Sequence, residues 1–125
     1  MAIYEAGEMY LENILTIKKR VGNVRAVDIV NEIGHAKSTV SVGLKSLSNK
    51  VYITIDSNGY ISLTELGNQV ATYIYNKHVI LTDFLLALGV SKEVAENDAC
   101  KIEHVISDET FNQIKKSQKN KHGNA

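Results

Sequence analysis

The stretch that decides the fold is residues 24–63, VRAVDIVNEIGHAKSTVSVGLKSLSNKVYITIDSNGYISL. Its first half holds two short segments with helical spacing of apolar residues, 24–33 and 37–48, joined by a turn that contains a glycine. Two short helices joined in this way are typical of a helix-turn-helix. Residues 51–63 then hold two runs rich in β-branched residues around Asn58-Gly59, a strong hairpin signal. A hairpin directly after a helix-turn-helix is a wing, so the stretch predicts a winged helix-turn-helix.

Helical patterns flank this stretch on both sides. A first helix is predicted over about residues 4–20, and Thr64 is placed to cap a long helix that ends at Gly89. Further helices are predicted from Ser91 to about Val105 and from Ser107 onward. The sequence therefore predicts a mainly α fold in two parts, a winged helix-turn-helix DNA-binding domain at 1–63 and a helical domain at 64–125.

Composition and charge exclude several classes of protein. The chain has 125 residues, of which 44% are hydrophobic and 22% charged, and its formal net charge is zero. These values are ordinary for a folded soluble protein, so a nucleic-acid surface would have to come from locally clustered charges. A single cysteine excludes an internal disulfide and fits a reducing compartment. With no apolar run long enough to span a bilayer and no signal-peptide pattern, we expect a cytoplasmic protein without a membrane partner.

Metal-binding chemistry is indicated near the C-terminal end of the helical part. Cys100, Glu103 and His104 stand at positions i, i+3 and i+4, which share one face of a helix, and Glu96 lies one turn earlier. Thiolate, carboxylate and imidazole are all ligands of divalent transition metals. A lone cysteine is more often a buried small hydrophobe, but burying this whole face without a metal would be costly.

DNA-binding residues are expected on the second helix of the helix-turn-helix. Lys and Ser/Thr side chains suit phosphate oxygens, and an exposed valine can contact a thymine methyl group. Residues 1–50 hold seven Lys or Arg against five Asp or Glu, a modest excess. A solvated polar face is the alternative. The candidates are Arg25, Lys37, Ser38, Thr39, Ser41, Val42 and Lys45.

Several short motifs together resemble the diphtheria-toxin-repressor and manganese-transport-regulator family of bacterial metal-dependent repressors. The resemblance extends over nearly the whole chain. Its residues are Glu8-Met9-Tyr10-Leu11, Lys77-His78, Ala99-Cys100, Glu103-His104-Val105 and Ser107-Asp108-Glu109.

The resemblance implies a homodimeric repressor of metal-uptake genes that binds a palindromic operator with a divalent metal as corepressor. The iron branch implies Met9, Cys100, Glu103 and His104 as ligands, and the manganese branch implies the further ligands Glu12 and His78. A metal held by residues of both halves would clamp them together. An ancillary site would be built from His78 and Glu96, but this chain departs from the iron branch there, which has a His at the position of Glu96 and a carboxylate at that of Thr82. The SH3-like third domain of some members is not expected.

The donor set and the resemblance lead to two further expectations, on the preferred metal and on the dimer interface. Met9 and Cys100 are soft donors, so Fe²⁺ is the preferred metal and Mn²⁺ the next. A stripe of small and branched residues beside the ligands is predicted to pair the two subunits. Its members are Ala95, Ala99, Ile102 and Ile106.

Alternative functions stay open at the level of sequence. Carboxylate, thiolate and imidazole could hold a catalytic zinc, but no separate base or metalloprotease motif is found, so an enzyme is not expected. A winged helix that binds only protein would leave the ligand stripe without metal. For single residues, His78 and Met9 could be core residues and Glu12 a solvated carboxylate.

Overall fold

The computed structural model describes residues 5–123 of the chain. Among these residues it has six helices and one two-stranded antiparallel sheet, which confirms the predicted mainly α fold. The elements are α1 (Glu5–Val21), α2 (Ala26–Ile33), α3 (Lys37–Asn49), β1 (Ile53–Ile55), β2 (Ile61–Leu63), α4 (Glu65–Ala87), α5 (Lys92–Ile102) and α6 (Asp108–Gly123).

The chain divides into two compact units within α4, between Tyr73 and Ile74. This division lies ten residues beyond the domain boundary expected after residue 63. The reason is that the first turns of α4 contribute Ala71, and more peripherally Val70, to the apolar core of the first unit. No helix in the described range is both long and apolar enough to cross a bilayer.

The core of the first unit is built by α1, α2, α3 and the hairpin. Tyr10, Leu11, Ile14 and Ile17 of α1 are buried at helical spacing, as period-3.6 patterning predicts. Burial raises the pKa of the Tyr10 hydroxyl above its usual value. The other core residues are Val24, Ile29, Val40, Leu44, Leu47, Tyr52, Ile53, Ile61 and Ala71.

The hairpin and α2 are joined at the base of the wing. Strand β1 pairs with β2 in the register Ile53↔Leu63, and Val24 forms a further bridge with Ile61. Because Val24 belongs to this bridge, α2 begins only at Ala26, two residues later than the apolar pattern predicts. The Arg25 N–H donates to the Asp28 carboxylate at 2.9 Å and closes the start of α2.

Helix α3 ends in a turn that normally requires glycine. Val51 has φ +60°, while its N–H bonds the Ser48 carbonyl and the Tyr52 N–H bonds the Leu47 carbonyl. This pair of bonds is the Schellman motif, in which the left-handed residue is usually glycine. A β-branched residue in this conformation is strained, and Val51 is 63% exposed, so little packing compensates.

Val51→Gly is therefore expected to stabilise the chain by about 1 kcal/mol, because it relieves the left-handed backbone of its Cβ clash. Urea unfolding of the purified chain would measure the change. Val42, an equally exposed valine inside α3, is the control. Val42→Gly should instead cost a few tenths of a kcal/mol, since glycine is the poorer helix former. A fall in stability for Val51→Gly would contradict the strain.

The core of the second unit is formed by Leu81 of α4, Ala99 of α5 and Phe111 of α6. Helix α5 ends at Ile102, three residues earlier than predicted. The chain turns at this point through bonds from the Val105 and Ile106 N–H groups to the Ile102 carbonyl. The turn is followed by α6, which carries Phe111 into the core.

The predicted dimerisation stripe is partly buried within its own unit. Ala95 and Ala99 have no exposed surface, whereas Ile102 and Ile106 pack against the core of the second unit but stay half-buried. A spacing of small and branched residues fits the inner face of a helix as well as it fits a subunit interface. Ala95 and Ala99 are therefore not available to a second subunit, and the role of Ile102 and Ile106 stays a prediction.

Candidate metal centre

Glu103 is the buried acidic residue around which the candidate site is built. It is the first residue after α5, with φ −58° and ψ −26°, and its N–H bonds the Ala99 carbonyl at 2.9 Å. The hydrogen bond holds the backbone close to helical geometry. The side chain has no exposed surface. An ionised carboxylate in such a place is costly unless a cation or hydrogen-bond donors accompany it.

Two imidazoles flank the Glu103 carboxylate. His78 Nδ1, from α4, lies 3.4 Å from Glu103 Oε1, and His104 Nε2, from the turn after α5, lies 3.7 Å from the same oxygen. The His78 side chain is 24% exposed and that of His104 is fully buried. The structure thus places three predicted metal ligands of the second unit side by side.

Neither carboxylate oxygen of Glu103 accepts a hydrogen bond from any residue between positions 5 and 123. A buried acceptor without a donor costs free energy, and the cost is greater for a charged group. A divalent cation would compensate the negative charge of Glu103, and imidazole nitrogen and carboxylate oxygen are both ligands of first-row transition metals. The donor set and the unsatisfied oxygens therefore fit a metal ion.

Cys100 and Glu96 are less closely associated with this group. Cys100 is half-buried on α5, but its Sγ does not lie within 4.8 Å of both the Glu103 and the His104 ligand atoms. Glu96 is exposed and lines a surface pocket of the same unit together with His78, Thr82 and Asp83. Thr82 donates its hydroxyl to the His78 carbonyl at 2.8 Å, so Asp83 is the carboxylate that this pocket offers beside Glu96.

Met9 and Glu12 lie on α1 in the first unit, where both side chains are half-buried. Their spacing of three residues puts them on neighbouring positions of one helix face. Their assignment as ligands stays a prediction of the sequence.

The family resemblance placed His78 and Glu103 among the ligands, but spacing along the sequence could not predict that they lie side by side. The two residues are 25 positions apart on different helices, and helical spacing relates only residues on one helix. One signal was present: His78 lies on the apolar stripe of α4 between Ile74 and Leu81, both of which are buried. A titratable residue on an inner face requires a partner on another element.

The candidate DNA surface is the exposed face of α3. Val40, Leu44 and Leu47 point into the core, and the intervening side chains are left in solvent. Val42 is 72% exposed, which is unusual for an apolar residue and suits contact with a partner. The exposed predicted contacts of α3 are Lys37, Ser38, Thr39, Ser41, Val42 and Lys45.

Arg25 is exposed at the start of α2, and its guanidinium carbon lies 4.5 Å from the centroid of the Tyr60 ring, beside the hairpin. This cation–π contact fixes the direction of a long side chain that would otherwise be mobile. The assignment of Arg25 as a phosphate contact stays a prediction of the sequence.

Comparison with known proteins gives concordant matches. Residues 64–123 match the model of the iron dependent repressor, metal binding and dimerisation domain. The transcriptional regulator MntR of Escherichia coli O157:H7 is 36% identical over 102 residues, which cover 82% of this chain and 66% of that protein. An uncharacterised HTH-type transcriptional regulator of Methanocaldococcus jannaschii is 33% identical over 110 residues, covering 86% of this chain and 88% of that protein.

Solved structures agree with these matches. A manganese-dependent transcriptional repressor in complex with manganese superposes with a TM-score of 0.82 at 25% identity, over 89% of this chain and 51% of that one. This chain therefore spans about two thirds of the length of the Escherichia coli regulator and about half the length of the solved repressor.

Proposed function

Because the chain belongs to the iron-dependent repressor family of metal-dependent transcriptional regulators, we propose that it is a homodimeric DNA-binding repressor activated by a divalent metal. The observation that carries the proposal is the buried Glu103 carboxylate between two imidazoles, with no hydrogen-bond donor for either oxygen among the described residues. The family consists of regulators rather than enzymes, so the zinc-hydrolase alternative is set aside.

Glu103, His104 and His78 would hold the metal in the second unit, and the bound cation would supply the positive charge that the buried carboxylate lacks. Glu103 would bind through a carboxylate oxygen, and each histidine through a ring nitrogen that carries no proton. Because His78 lies on α4 and Glu103 at the end of α5, their shared ligation would fix these two helices to each other. If the conformation with fixed helices binds the metal more tightly than other conformations do, metal shifts the population toward it. A metal acts as a corepressor when that conformation is also the one that binds DNA.

DNA binding is assigned to α3 and the hairpin. Lys37 and Lys45 would contact phosphates, and Val42 would contact a base edge in the major groove. A two-fold dimer would present two copies of α3 to two half-sites, which makes a palindromic operator the expected target. The subunit contact would use apolar side chains of the second unit that are exposed, such as Leu88, Val94 and Val105.

The proposal predicts that DNA affinity depends on metal. A palindromic duplex would first be selected from a randomised library with the metal-loaded chain. Fluorescence anisotropy with this duplex should then show that a chelator weakens binding by about tenfold to a hundredfold. This is the usual range of coupling between two sites. Affinity should also fall steeply with added salt, because phosphate contacts release counterions. Equal affinity with and without chelator would favour a winged helix that binds protein and would contradict the corepressor role.

Fe²⁺ is proposed as the preferred metal and Mn²⁺ as the next. Cys100 and Met9 are soft donors within the predicted ligand set, and soft donors favour iron over manganese. The named relatives point the other way, since the solved repressor binds manganese. Anaerobic titration of DNA binding with each metal at buffered free concentration decides between them. Half-saturation by Mn²⁺ at a lower free concentration than by Fe²⁺ would reverse the assignment.

A further inference from the structure

A side chain of α1 reaches the turn that precedes α3. The Tyr10 hydroxyl lies 3.0 Å from His35 Nδ1, and the two rings meet edge to face with centroids 5.9 Å apart at an angle of 72°. His35 is the middle residue of the three-residue turn 34–36 between α2 and α3. Tyr10 is 1% exposed, so the contact is anchored in the core of the first unit.

The same tyrosine is in close contact with α3 itself. A Cβ placed on Gly43 would overlap Cε2 of the Tyr10 ring. Gly43 lies in the interior of α3, where glycine is a poor helix former, and its absence of a side chain lets the ring lie against the helix backbone. Tyr10 therefore contacts both the start and the middle of the segment that carries the DNA-facing residues.

The contact between Tyr10 and His35 lies directly before the start of α3. The N-cap residue of α3 is Ala36, which has no side-chain hydrogen bond to cap the helix. The first turn is thus held by its own backbone and by the turn before it, where the side chain of His35 is hydrogen-bonded to Tyr10. Lys37, Ser38 and Thr39 follow at once and are exposed.

We propose that Tyr10 and His35 are positioning residues that hold the turn before α3 and thereby set the place at which Lys37, Ser38 and Thr39 meet DNA. The DNA part of the proposal rests on the proposed function. Tyr10 also stands between Met9 and Glu12, the predicted ligands on α1, so the pair makes the position of α3 depend on that of α1.

Three variants test the pair. Tyr10→Phe removes only the hydroxyl, and so removes the hydrogen bond to His35 Nδ1. His35→Gln also loses this bond, because its amide lies nearer the position of Nε2. His35→Asn can keep the bond, because its amide lies near the position of Nδ1. For the metal-loaded chain, Tyr10→Phe and His35→Gln should each weaken binding to the library-selected duplex by about tenfold, as expected for a buried hydrogen bond. His35→Asn should stay within about threefold of wild type, and the affinity for Co²⁺, measured by titration, should change less than about twofold in all three.

A double variant separates a shared contact from two unrelated effects. Tyr10→Phe combined with His35→Gln should bind DNA no more weakly than either single variant, because both remove the same bond. Additive losses would overturn the proposal. So would a fall in Co²⁺ affinity that matches the fall in DNA affinity, since the variants would then act through the metal site.

Amide hydrogen exchange provides a readout that does not involve DNA. Tyr10→Phe should speed exchange at residues 40–43, whose N–H groups bond the carbonyls of the first turn of α3, while residues 68–71 of α4 stay unchanged. Unchanged exchange at 40–43 would overturn the proposal. If the wild-type chain binds no DNA, the proposed function has failed, whereas faster exchange at these residues would still support the positioning role.

Discussion

Glu103→Gln is expected to lower the affinity for divalent metal on the order of 100- to 1,000-fold, because removing one partner of a buried charged pair costs about 3–5 kcal/mol. The glutamine has the same shape but no charge, and its amide can donate a hydrogen bond to a neighbouring imidazole nitrogen. The metal-free variant should therefore be at least as stable as metal-free wild type. Isothermal titration with Co²⁺ and Mn²⁺ and thermal unfolding with and without metal would measure both effects.

Glu93→Gln is the matched control, since Glu93 is an exposed carboxylate on α5 in the same unit. This variant should bind metal as wild type does. If Glu103→Gln keeps the metal-induced rise in melting temperature, the metal lies elsewhere. If Glu103→Gln is unfolded without metal, the carboxylate is needed for the fold, and its proposed role as a ligand would be wrong.

Gly67→Ala is expected to destabilise the first unit by about 3 kcal/mol or more, at the upper end for single substitutions. Gly67 lies in the first turns of α4, where an added Cβ would overlap the carbonyl oxygen of Tyr52. This obstacle is backbone and cannot rotate away. The carbonyl is also held in place, because it accepts a hydrogen bond from the N–H of Thr64 at 3.1 Å. Thr64 in turn caps α4 by accepting the Gly67 N–H at 3.0 Å, as the sequence predicted.

Urea unfolding would measure this loss, with Asn68→Ala as its control. Asn68 is the exposed neighbour of Gly67 in the same turn of α4, so alanine there should leave stability unchanged or slightly raised. A loss of only about 1 kcal/mol for Gly67→Ala would mean that α4 moves aside at little cost, contrary to the close contact described above.

The winged helix-turn-helix could be predicted because its signals are local. Gly34 adopts φ +81° and Gly59 φ +83°, the left-handed values that end a helix and turn a hairpin. The left-handed Val51 could not be predicted, since no local preference favours a β-branched residue there. It is held by tertiary bonds, among them the Thr64 hydroxyl to the Val51 carbonyl at 2.7 Å.

Part of the candidate site could also be predicted from local sequence, and part could not. Glu103 and His104 are adjacent in sequence and could be recognised by residue type, but the helix that was to align them with Cys100 ends before both. The approach of His78 depends on the packing of α4 against α5, which spacing along one helix does not report. The prediction that Ala95 and Ala99 contact a second subunit was wrong, because the same pattern serves a core or an interface and only packing distinguishes them.

The unsatisfied carboxylate of Glu103 has a consequence for the lifetime of the chain in a cell. A ligand that binds only the folded state stabilises it, by about 2.7 kcal/mol at a hundred times its Kd. Without metal, the two buried oxygens of Glu103 have no partner among the described residues, which lowers stability, and a larger fraction of molecules is open to proteases at any moment. Turnover would then rise as metal becomes scarce. The metal supply would set how much regulator exists as well as how much of it is active, so that repression ends by degradation in addition to dissociation.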